Sequence, residues 1–161
     1  MHRKYFSIIP IRPIVVTELY TVHYFENFKN YYFSGERHNF WEILYVDRGE
    51  IIVETDRLER PIRMERGDLL LHRPNEFHSF YANNIVPHNL FVVLFASGSP
   101  AMEHFQEHPF FHTRSPMRAK ISRLLEESRL CFSVPLADPN VPKLKRDRSA
   151  PFGAEQVVVN T

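Results

Sequence analysis

Trp41-Glu42-Ile43-Leu44-Tyr45-Val46-Asp47 and Glu50-Ile51-Ile52-Val53-Glu54-Thr55 are two short runs of mostly β-branched and aromatic residues, parted by the turn pair Arg48-Gly49. Runs of this kind bounded by turn residues read as strands. Residues 61–64, 68–72 and 88–95 repeat the pattern, with Asp56-Arg57, Arg66-Gly67-Asp68 and Pro74-Asn75 as the breaks. No helical stretch lies between them. The spacing therefore predicts an all-β barrel or sandwich over residues 14–99, and not a βαβ sheet. Gly49 and Gly67 are read as turn glycines with positive φ.

Beyond residue 99 the period changes. Met117, Ile121, Leu124 and Leu125 make one apolar stripe, with Arg118, Lys120, Arg123, Glu126 and Glu127 on the other faces, which predicts a helix over residues 116–130. Ser115-Pro116 is read as its N-cap and N1 proline. A shorter helix is expected over residues 102–108, before Pro109. Residues 100–132 thus form a helical segment. Residues 133–161 are punctuated by Pro135, Pro139, Pro142 and Pro151 and are read as a flexible tail, in which the basic run Lys143-Leu144-Lys145-Arg146 is a solvated face. Residues 1–13 form an N-terminal arm.

The chain has 161 residues, enough for one domain. Its formal net charge of +1 gives no electrostatic pull towards nucleic acid or an anionic membrane. Cys131 is the only cysteine, which rules out an intramolecular disulfide and a cysteine-rich zinc site. Pro10, Arg12 and Pro13 interrupt the apolar start and no run is long enough to span a bilayer. A soluble cytoplasmic chain with no membrane partner is expected.

Residues two apart on a strand share a face, so His38, Phe40, Glu42, Leu44 and Val46 are expected to point into a barrel, with His78 approaching from a neighbouring strand. Glu42, bracketed by Trp41, Ile43 and Leu44, must line a wet cavity or pair with a charge. The order His38, Glu42, Gly49, then Gly67, Pro74 and His78 resembles the two motifs of the cupin fold. It departs from a metal cupin in three places. Glu36 stands where the first histidine would be, Glu76 where a glycine is usual, and His78 one residue early. On those grounds neither a metal nor any other cofactor is expected.

A narrower resemblance covers residues 38–80. His38-Asn39-Phe40-Trp41-Glu42-Ile43-Leu44-Tyr45-Val46, the Gly49 turn, Gly67-Asp68-Leu69-Leu70-Leu71 and Pro74-Asn75-Glu76-Phe77-His78 are similar to the N-terminal regulatory domain of AraC-type transcription regulators. The resemblance implies a mainly β, cupin (double-stranded β-helix or jelly-roll) barrel followed by one or two α-helices. It implies a non-enzyme that takes a small, sugar-like effector at His38, Phe40, Glu42, His78 and Phe80. It also implies a homodimer formed through Met117, Ile121, Leu124 and Leu125. DNA recognition in that family rests on a further segment of about a hundred residues with two helix-turn-helix units, for which residues 133–161 give no room, so this chain alone is not expected to bind DNA specifically. The alternatives are a metal-dependent cupin enzyme, such as a sugar isomerase or dioxygenase, and a stand-alone carbohydrate-binding cupin.

Overall fold

The structure, a computed structural model, describes residues 6–27 and 29–161. Nine strands, β1 (Glu18–Asn27), β2 (Tyr32–Glu36), β3 (Trp41–Arg48), β4 (Glu50–Thr55), β5 (Ile62–Glu65), β6 (Asp68–His72), β7 (His78–Ala82), β8 (His88–Ala96) and β9 (Phe110–His112), form two sheets. The orders are β1-β8-β3-β6-β9 (sheet A) and β2-β7-β4-β5 (sheet B), with antiparallel pairing throughout. From β3 onward the chain crosses between sheets at most turns, which is what wraps the strands into the barrel expected from the sequence. One such crossing is made at Gly49. Its φ is +73°, and a Cβ there would lie 2.4 Å from the Pro87 carbonyl oxygen, so no side chain fits.

Strand parity sorts the residues of β3 to two different cores. Leu44 and Val46 face the barrel interior, packed with Ile51, Val53, Met64, Leu70, Phe80, Leu90 and Val92. Trp41, Ile43 and Tyr45 face outward, where Leu71, Phe91, Val93 and Phe95 meet the helices. Both faces of sheet A are thus buried, which explains why β3 and β8 are almost continuously apolar.

Three helices follow or flank this outer face: α1 (Met102–Glu107), α2 (Ser115–Cys131) and α3 (Ala154–Asn160). The cap of α2 is Arg114, in extended conformation, so Ser115 is the first helical residue and not the cap expected from the sequence. Ile121, Leu124 and Leu125 pack on the chain's own sheet A, while Met117 and Leu130 are exposed. The stripe read as a dimer seam is therefore largely taken up within the chain, because the outer face of sheet A is apolar and otherwise open.

Residues 133–161, read as a flexible tail, are folded against the barrel. The Leu136 carbonyl accepts a hydrogen bond from Tyr24 N at 2.9 Å, capping the exposed edge of β1. Asp147 N donates to Cys131 O at 2.7 Å and Ser133 N to Lys145 O at 2.9 Å. Ala154 and Val158 of α3 complete a small core with Cys131 and Phe132. An unpaired sheet edge and scattered apolar residues suffice to hold such a segment, although no periodicity marks it. Of the arm, residues 1–5 lie outside the described residues, and Ile8, Ile9 and Ile11 are exposed.

Candidate functional site

One end of the barrel carries a cluster of charge. Register places Glu42 opposite His72 in sheet A, and His78 opposite both Thr55 and Glu36 in sheet B. The two sheets therefore bring Glu42, His72, His78 and Glu36 to the same rim. Gly35 allows the last of these, since a Cβ on it would sit 2.7 Å from the His78 carbonyl oxygen. His38 and Phe40 precede β3 and belong to the connecting loop, not to the strand.

Glu42 is 5% exposed and lies at the centre. Its Oε2 is 3.2 Å from His38 Nε2 and 3.3 Å from His78 Nε2, while Glu36 Oε1 lies 4.0 Å from the same His78 nitrogen. The histidine tautomers follow from the other ring nitrogens. His38 Nδ1 is 3.0 Å from the Phe40 carbonyl and His78 Nδ1 is 3.2 Å from the Glu76 carbonyl. A carbonyl can only accept, so both Nδ1 atoms carry protons. In the neutral rings both Nε2 atoms would then present lone pairs to a carboxylate, acceptor against acceptor. Protonation of the rings or a cation among them removes the conflict.

The electrostatics point the same way. Burial pushes the Glu42 carboxyl up, but the bond from His38 and the interaction with His78 outweigh it and hold the group well below the usual carboxylate range. For His78, burial lowers the value and the Glu42 hydrogen bond and charge raise it, with a net rise above an ordinary histidine.

A supporting layer fixes the rings. His38 stacks on Phe40 at 4.1 Å, and Phe40 on Tyr20 at 4.2 Å. His72 stacks on His78 at 4.1 Å and its Nδ1 is 3.0 Å from Glu76 Oε1. Glu76, 3% exposed, also accepts from Arg73 N and lies 3.6 Å from Arg57 Nη1. Nothing in the sequence singles out His72, and Glu76 stands where a glycine is usual. Both are buried parts of this layer, and the four-residue spacing across the Pro74-Asn75 turn was the available signal.

Of the expected ligand residues, His38, Phe40, Glu42 and His78 come together. Phe80 is two residues deeper on β7, in the packed interior against Phe33 and Tyr31, and does not reach the rim. The expectation that Glu36 spoils a metal set does not match the geometry. One donor atom each from Glu36, His38, Glu42 and His78 lies within 4.8 Å of all the others. Donors around a four-coordinate transition ion stand ~3.3 Å apart, given bonds of about 2.0–2.1 Å, so the separations of Glu42 from His38 and His78 fit such an ion, Glu36 at 4.0 Å from His78 stands wider, and the mixed nitrogen and oxygen set suits it.

The sequence profile of the family described as "AraC-like ligand binding domain" matches residues 18–131. Among solved structures, an RmlC-like cupin family protein with a double-stranded β-helix fold from Methanocaldococcus jannaschii aligns with a TM-score of 0.45 and 18% identity, covering 60% of this chain and 93% of that one. ToxT from Vibrio cholerae, in an apo form, aligns with a TM-score of 0.46 and 8% identity over 72% of this chain and 48% of its own length. The DMSP lyase DddQ from Ruegeria pomeroyi aligns with a TM-score of 0.40 and 21% identity over 47% of this chain and 36% of that one. No curated protein sequence matches. Among the described residues no helix is long and apolar enough to cross a membrane.

Proposed function

The chain belongs to the AraC-like ligand-binding domain family, and from that premise we propose that it is the effector-sensing and dimerisation part of a transcription regulator and has no catalytic role. Its effector is a small polyhydroxyl compound held at the rim by His38, Glu42 and His78, with Phe40, stacked between His38 and Tyr20, fixing the His38 ring. The observation that carries this reading is the convergence of a buried carboxylate and two oriented imidazoles on one barrel end. Such a set offers charged acceptors and donors at fixed positions, the chemistry that binds hydroxyls. The regulatory consequence follows from linkage, since an effector shifts two states only by its differential affinity for them. A panel of neutral monosaccharides titrated against the protein tests the reading. Binding that is lost in Glu42→Gln supports it, and binding that is indifferent to Glu42 refutes it.

The same reading includes a homodimer. Its support is the exposure of Met117, the one residue of the Met117, Ile121, Leu124 and Leu125 stripe that is open to solvent. Met117→Glu is expected to give a monomer by sedimentation whose Tm no longer rises with protein concentration; a parent protein that is already monomeric overturns it.

A second reading, a metal-dependent cupin, is favoured by the facing lone pairs of His38 and His78. Glu36, His38, Glu42 and His78 would hold the ion, which when bound supplies a Lewis acid. In this reading the backbone carbonyls of Phe40 and Glu76 orient the two rings, and Glu76 keeps His72 stacked beneath His78. Elemental analysis after mild purification separates the readings. One Fe, Mn, Ni or Zn per chain selects the second.

A further inference from the structure

The outer face of sheet A is covered by the helices but not filled by them. Between Ile43, Leu71, Val93 and Phe95 of the sheet, Leu124 of α2 and Val158 of α3 lies a cavity of about 250 Å³. The lining has no charged side chain. Its only side-chain hydroxyl, on Thr161, donates its proton to the Val157 carbonyl at 2.8 Å. Among the described residues no side chain along these walls has a free hydrogen-bond donor, so a water inside would lack most of its partners and an anionic ligand would lose its hydration without compensation.

Size narrows the occupant further. An apolar cavity of about 150 Å³ stays dry and takes benzene, with its six heavy atoms. In proportion, this cavity takes roughly ten heavy atoms, the size of two fused aromatic rings. We propose that the space between sheet A and the three helices is a binding site for a small uncharged hydrocarbon of about that size. It is separate from the rim, since it uses the opposite face of the same strands. Glu42 and Leu44 point inward, Ile43 outward.

The position has a consequence for signalling. A ligand at the rim touches barrel residues only. An occupant of the cavity touches the sheet, α2 and α3 together, so its affinity depends on how the helices are seated and its binding biases that seating. The proposed site is thus the place from which a ligand reports to the helices most directly.

The test uses the unaltered protein with naphthalene and 2-naphthoate as matched probes. Naphthalene is expected to bind, 2-naphthoate on the order of 100-fold more weakly or not at all, because its carboxylate would be buried unpaired. In protein with labelled Ile, Leu and Val methyl groups, naphthalene should give intermolecular nuclear Overhauser contacts to Leu71, Val93, Leu124 and Val158. Amide exchange in α3 should slow in its presence. Failure of naphthalene to bind at saturation, equal binding of the two probes, or contacts to the inner residues Leu44, Val46 and Leu90 would overturn the site. Unchanged exchange in α3 would overturn the coupling.

Discussion

Glu42→Gln removes one charge from the barrel rim and leaves the side chain's shape almost unaltered. In the parent the carboxylate faces His38 Nε2 at 3.2 Å and His78 Nε2 at 3.3 Å. A hydrogen bond to a charged group contributes about 1.5–3 kcal/mol net and a neutral one about 0.5–1.5 kcal/mol, so neutralising Glu42 loses roughly 1–1.5 kcal/mol for each histidine. Burial of the carboxylate works against this, but the depressed pKa says that the interactions outweigh it. A net loss of about 2 kcal/mol is expected.

The pH dependence is specific. Because the folded carboxyl value lies below its ordinary 4.5, its contribution is present above that pH and fades as acid is added. Because His78 is raised above 6.5, its contribution is present below that pH and fades as the solution becomes alkaline. The stability gap between parent and variant should therefore be widest near pH 5 to 6 and narrow on both sides. Urea unfolding in the presence of a chelator, followed by the fluorescence of Trp41, measures it. Trp41 is the only tryptophan, is 4% exposed, and adjoins the substituted position. A variant as stable as the parent at pH 5.5, or a gap that widens steadily into acid, would refute the reasoning.

At the other end of the barrel His88 is fully buried, and burial pushes its pKa down to about 4 from 6.5. A lowered histidine stays neutral in the fold while the unfolded chain takes up the proton, so stability falls from pH 6.5 to pH 4 by about 3 kcal/mol. His88→Leu should flatten that part of the acid profile in urea titrations, and parallel profiles would contradict it. Gly49→Ala puts a Cβ 2.4 Å from the Pro87 carbonyl oxygen at a φ of +73° and should cost about 2 kcal/mol or more, read as a fall in Tm. A change within about 0.5 kcal/mol would mean that the turn relaxes freely. Ile121→Glu should destabilise the chain by about 3 kcal/mol, since the residue packs on sheet A. An equally stable but newly monomeric protein would instead place it in a subunit interface.

How much of this is legible in the sequence depends on where the information is local. The runs of β3, β4 and β6 carry their own apolar character and turn residues, and their strands begin and end within a residue or so of the reading. The strands β1 and β2 mix polar and aromatic residues. They are strands because β8 and β7 offer them partners, which is a tertiary fact. The helix stripe was visible, but not what it packs against, because an apolar face is equally satisfied by a second copy or by the outer face of the chain's own sheet. Residues 133–161 show the same limit, since Leu136 and Val158 find their partners only once β1 has an open edge and α2 is in place. At the rim, strand parity is enough to align Glu42 with the interior, whereas His78 reaches it from β7 in the opposite sheet and not from a strand beside β3. Judging Glu36 by residue type alone missed that a carboxylate can replace a histidine as a donor. Phe80 shares a face with His78 but lies a full pleat deeper, where the interior is packed.

The claim that the rim is an effector site is tested most directly by the ring resonances of His38 and His78. With histidine nitrogens labelled and a chelator present, a panel of neutral monosaccharides is titrated in, followed by zinc in chelator-free buffer. Saturable shifts of both rings with at least one sugar, in the absence of metal, are the predicted result. Rings that ignore every sugar and move only with stoichiometric zinc would contradict the account.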